Sequence, residues 1–151
     1  MTLGCTRRGS AAIGPSEVAA DSVVGIVAVT GASFEQRLIL RTDRGFARLW
    51  TNAADSAALS RLGGVEVVAR GQANASGLSV VRFTVRRVDN QPVVDGILRR
   101  DGEQMLLETA AGRIPLGNPP AALREMAGAR VWIGGPLDRG PNVYGIIMPA
   151  R

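Results

Sequence analysis

Apolar and polar residues alternate with a period of two through most of this chain, and the period moves towards 3.6 in two short stretches only. Ser22–Thr30 is rich in β-branched residues and interrupted by Gly25, which predicts a long first strand with a bend. Thr30-Gly31-Ala32-Ser33 turns the chain, and Phe34–Arg41 alternates as a second strand. Thr42-Asp43-Arg44-Gly45 has the composition of a hairpin turn and leads into a short third strand, Phe46–Trp50. Leu59 and Leu62 then stand three apart in an Ala-rich run, predicting a helix with Asn52 or Asp55 as its N-cap and Gly63-Gly64 as its stop. Val65–Gln72 and Leu78–Arg87 alternate again as strands four and five.

The second half follows the same plan. Pro92–Leu98, Gln104–Glu108 and Arg113–Leu116 read as strands, with Thr109-Ala110-Ala111-Gly112 at the place of the first hairpin turn. Asn118-Pro119-Pro120 predicts a helix start with Asn118 as N-cap; Leu123 and Met126 form its apolar side and Gly128 its stop. Arg130–Gly134 and Val143–Met148 close the unit. The two halves also match residue by residue. Leu38, Leu40, Thr42, Gly45 and Leu49 return as Met105, Leu107, Thr109, Gly112 and Leu116, at a constant offset of 67. Leu59, Leu62, Gly64, Val67 and Gly71 return as Leu123, Met126, Gly128, Val131 and Gly135, at a constant offset of 64. Spacing conserved across two unlike stretches argues for a duplicated supersecondary unit. Residues 1–21 read as a flexible leader, 22–90 as the first unit and 91–151 as the second. Each unit is too small to bury much surface alone, and Arg87–Gln91 is too short for a free linker, so the units are expected side by side.

Strand, strand, strand, helix, strand, strand, with a Gly in the long first strand and Gly64-Val67-Gly71 or Gly128-Val131-Gly135 entering the fourth, resembles the OB-fold. The resemblance is to secreted bacterial OB-like domains of unknown function. It implies an all-β protein of two tandem five-stranded Greek-key barrels, each with one short helix between strands three and four. A different small barrel, or one ten-stranded sandwich, would use the same strands.

Alternation also assigns the faces. With Leu38, Leu40 and Leu49 inward, Arg37, Ile39, Arg41, Phe46, Arg48 and Trp50 point outward. Leu38, Leu40, Leu49, Val67, Leu107, Leu116, Leu123 and Val131 are the expected core. In OB-folds the ligand lies across strands two and three. Arg37, Arg41, Phe46, Arg48 and Trp50 are therefore the candidate ligand-binding residues, a mixture suited to stacking rings and holding phosphates. The matching face of the second unit, Gln104, Leu106, Glu108, Arg113, Pro115 and Gly117, has no aromatic residue. Three readings of the first face stand: the seam where one barrel packs on the other, with Trp50 buried there, which is the favoured one; a ligand platform; or neither.

Composition narrows the chemistry. All 18 basic residues are Arg, and the formal charge of +5 falls mainly on residues 1–90. A GC-rich coding sequence accounts for such a bias, and so does selection for bidentate contacts to phosphate or carboxylate. With no His and one Cys, a Ser–His–Asp triad, a His–Cys zinc site and an internal disulfide are excluded. The carboxylates are scattered: Asp101 and Glu103 share a turn, Asp43 another, and no acid–base pair stands out. Arg82, Arg86, Arg87, Arg99 and Arg100 surround the junction; they read either as a basic stripe or, the favoured reading, as charged outer strand positions that keep edges from aggregating.

Cys5 follows Thr2-Leu3-Gly4 as in the tail of a lipobox, without the apolar segment that precedes one, and is the candidate lipidation site. These observations lead to a non-enzymatic binding or accessory module of the bacterial cell envelope, in the periplasm or lipid-anchored. Its expected partner is an anionic ligand, a protein or an oligosaccharide, and no metal, cofactor or transmembrane segment is expected. The alternative is a cytoplasmic single-stranded nucleic-acid-binding protein that uses the Arg/aromatic face.

Overall fold

A computed structural model describes residues 21–151. Cys5 and the rest of the leader lie outside the described residues. The chain is predominantly β, with strands β1 (Asp21–Thr30), β2 (Arg37–Thr42), β3 (Gly45–Trp50), β4 (Glu66–Asn74) and β5 (Gly77–Val88) in the first unit. The second holds β6 (Gln91–Asp101), β7 (Gln104–Thr109), β8 (Gly112–Leu116), β9 (Arg130–Gly134) and β10 (Val143–Met148). Helix α1 (Ala53–Arg61) lies between β3 and β4, and α2 (Ala121–Arg124) between β8 and β9. Among the described residues no helix is long and apolar enough to cross a membrane.

In the first unit β1 pairs with β2, β2 with β3, β3 with β5, β5 with β4 and β4 with β1. The pairings return to their start, and only β3–β5 is parallel. A ring of this kind leaves no edge within the unit. The second unit has the order β8-β7-β6-β9-β10, but no β8–β10 ladder closes it.

The duplication read in the sequence is visible in individual bonds. The Thr42 hydroxyl donates to the Gly45 carbonyl and accepts from the Arg44 N–H; Thr109 does the same with Gly112 and Ala111. The Val27 N–H donates to the Val65 carbonyl and its own carbonyl accepts from the Gly64 N–H. Leu98 makes the same exchange with Ala129 and Gly128. Gly25 and Gly96 are required for one reason: a Cβ at either would stand 2.6 Å from a carbonyl oxygen of the facing strand, that of Arg41 or of Glu108.

Of the two expected helix caps, one forms and one does not. Asn52 caps α1, its side-chain oxygen accepting from the Asp55 N–H. Asn118 does not cap α2: its backbone is left-handed, with φ at 47°, and the helix begins after Pro120 with no side-chain cap. Lacking that cap, α2 amounts to a single turn held by the burial of Leu123.

The eight expected core residues are all buried, in two clusters. Leu40, Leu59, Val67 and Phe83 lie in the first, and Leu98, Leu107, Leu123 and Val131 in the second. Ile147 of β10 is fully buried in the first cluster, although it belongs to the second repeat. Asp89 and Asn90, both at positive φ, form a two-residue turn that joins β5 directly to β6. The two units are thus joined by a continuous hairpin ladder and by β10.

Candidate functional site: the outer face of β1, β2 and β3

The strand register sets two rows across the outside of the first unit. Ile26, Arg41 and Phe46 are aligned across β1, β2 and β3, and Ala28, Ile39 and Arg48 form the neighbouring row. Trp50 follows Arg48 on the same side of β3, where the strand pairs with β5. The face is open. Phe46 is 74% exposed, Ile26 46% and Trp50 42%, so nothing from the second unit covers it. The seam reading of these residues is therefore wrong. The reason lies in β10, which packs against α1 and the first core from elsewhere: the Arg61 Nη2 donates to the Ile147 carbonyl at 3.1 Å, and Val93, Trp132 and Met148 pack against that same core.

Within the face Arg48 stacks on Trp50, its guanidinium carbon 3.8 Å from the ring centroid. The indole Nε1 donates, at 3.5 Å, to the carbonyl of Ser76 in the β4–β5 turn. The stacking and the hydrogen bond at its Nε1 hold the indole in place on the sheet. Among the described residues no carboxylate lies within 4.0 Å of Arg37, Arg41 or Arg48. Three cations, Phe46 and Trp50 therefore share one surface without internal neutralisation.

The second unit shows the contrast. Glu108 stands where Arg41 stands in the first, and it pairs with Arg99 at 3.6 Å and Arg113 at 3.7 Å. Gly117 stands in place of Trp50 for a backbone reason. Its N–H donates to the Leu137 carbonyl and its carbonyl accepts from the Gly140 N–H, so the β9–β10 loop takes the place of the missing β8–β10 ladder. A Cβ at Gly117 would fall on the Asp138 carbonyl oxygen. The aromatic at that position is thus lost to loop closure, whereas the charge reversal from Arg41 to Glu108 has no such backbone cause.

Sequence reasoning missed one polar cluster. Asp95 on β6 accepts from the Arg130 Nε at 2.8 Å and Nη2 at 2.7 Å, and from the Val85 N–H at 2.7 Å. Arg130 on β9 also donates to the Phe83 carbonyl at 2.6 Å and lies over the Phe83 ring at 4.4 Å. The Asp95 side chain is 3% exposed. This clamp satisfies β5 backbone groups beside a bulge in the β4–β5 ladder and ties the two units together. Its only signal in the sequence is a lone carboxylate inside the apolar run Pro92–Leu98.

Compared with protein-family models, with curated proteins and with solved structures, the chain matches none of them.

Proposed function

We propose that this protein is a non-enzymatic binding module that holds an anionic, single-stranded nucleic acid on the outer face of β1–β3. The observation that carries this reading is the face with Arg37, Arg41, Phe46 and Trp50 exposed and Arg48 half-buried against Trp50, its cations without a carboxylate partner among the described residues while the second unit neutralises the same face. Exposed rings give bases something to stack on, and forked guanidinium groups suit the phosphates between them. The closed pairing order with a parallel β3–β5 contact supports an OB-type barrel for the first unit. For the second unit it supports an OB-like variant closed by a loop.

Trp50→Ala is the direct test. Affinity for an oligothymidylate is expected to fall by about 1–3 kcal/mol, the usual worth of one stacked base, with the melting temperature little changed. Unchanged affinity would refute this use of the face. Tighter binding of an acidic oligosaccharide than of the oligonucleotide would move the ligand to the carbohydrate class.

The Thr2–Cys5 motif supports a second reading of location, an exported form anchored through Cys5 at the cell envelope. Fractionation of cells expressing the gene with its natural upstream region is expected to place the lipidated protein with membranes. An unmodified cytoplasmic product starting at Met1 would rule that out.

A further inference from the structure

A second cationic feature lies on the other side of the first barrel. Arg70 on β4 and Arg82 on β5 are directly opposite each other in the ladder, where like charges destabilise a sheet. Both are exposed, and among the described residues neither has a carboxylate within 4.0 Å. Elsewhere the same ladder follows the opposite rule: Glu66 faces Arg87 and pairs with it at 3.7 Å. The register slips immediately beside the opposed pair, so a bulge fixes where the two side chains stand. A local rule broken at a deliberately shaped position is where function is expected.

Arg82 is also one wall of a cavity of about 340 Å³ at the junction between the units, large enough for a small molecule. Its other walls include Phe83, Ile97, Glu108, Ala110 and Arg130. The two carboxylates there are already engaged. Asp95 is held by Arg130 and the Val85 N–H, and Glu108 by Arg99 and Arg113. The Arg130 hydrogen bonds use Nε and Nη2, leaving its Nη1 end unpaired among the described residues. Arg82 on the cavity wall, Arg70 directly across the ladder from it, Arg130 among the other lining residues and an apolar wall are therefore neighbours.

We infer that Arg70, Arg82 and this junction cavity form a second anion site, distinct from the β1–β3 face, that takes a phosphate monoester with a small apolar body. A doubly charged phosphate offers enough acceptor oxygens to bridge two guanidinium forks and relieves the repulsion between them. The ester group then lies along Ile97 and Ala110.

The test is a titration of the whole chain with phenyl phosphate, followed by amide resonances in two-dimensional NMR. Saturable shifts are expected at residues 81–84 and 96–97, with weaker binding of inorganic phosphate, which leaves the apolar wall unused. Arg82→Gln is expected to raise Kd on the order of tenfold or more, the worth of a charge-assisted hydrogen bond. Arg82→Lys, which keeps the charge but loses the fork, falls between the two. Because the opposed pair is repulsive without ligand, Arg82→Gln is also expected to leave the unliganded melting temperature unchanged or slightly raised. Non-saturable shifts, shifts confined to residues 37–50, or a Kd indifferent to Arg82→Gln would overturn the proposal. Arg41→Gln separates the two sites: it weakens oligonucleotide binding on the first face and leaves the phenyl phosphate titration unmoved.

Discussion

At the scale of single residues, the inward positions follow directly from the alternation of each strand. Leu40 and Leu107 occupy equivalent places in the two units and are completely buried, one in each core cluster. Truncating either to Ala is expected to cost about 2–5 kcal/mol in urea unfolding, as core deletions do. A loss below about 0.5 kcal/mol at both would mean that neither lines a core. Asp95 was not legible in this way. Alternation says which side of β6 it faces, but its partners Arg130 and Val85 come from two other strands, and nothing local in the sequence brings them together. Asp95→Ala strands the Arg130 guanidinium at the junction without its counter-charge. The expected loss is about 3 kcal/mol, at the low end for a broken buried pair because Arg130 keeps some solvent contact. A change under about 1 kcal/mol in the same unfolding measurement would reduce the clamp to a surface pair.

At the scale of elements, ten strands, two helices and the repeat itself were readable because each rests on local signals: period, turn composition and the spacing of glycines. The fate of β10 was not. Its pattern is that of a closing strand, and in the first unit the corresponding strand, β5, does close the ring against β3. In the second unit the β9–β10 loop reaches Gly117 first, and β10 delivers Ile147 into the core of the other unit. Pairing between distant elements depends on which backbone arrives, and a strand's own residues do not encode that. The contact between the units runs through β10, which buries Ile147 in the first core, and Trp50 stays 42% exposed. Ile147→Ala therefore tests the exchange. Hydrogen exchange is expected to accelerate first around Leu59–Val65, the end of α1 and the turn after it, while amides near Leu123–Val131 keep their protection. Loss of protection in the second unit first would contradict the arrangement.

At the scale of the whole molecule, three connections oppose independent behaviour of the units: the β5–β6 hairpin, the Asp95–Arg130 clamp and the burial of Ile147. Calorimetry of the full chain is expected to show one unfolding transition, with equal calorimetric and van't Hoff enthalpies; two separated transitions would mean that the joints contribute little. The second unit leaves the β1–β3 face uncovered, with Phe46 and Trp50 exposed, and Arg37, Arg41 and Arg48 on that face are the cations proposed to hold an anionic strand. The most direct test of that central claim is the affinity for an oligothymidylate measured across a range of salt concentrations. If Arg37, Arg41 and Arg48 each neutralise a phosphate, the plot of log K against log salt has a slope of about −2, and changing all three to Gln flattens it. No binding at low salt, or a slope that the triple substitution leaves unchanged, would contradict the account.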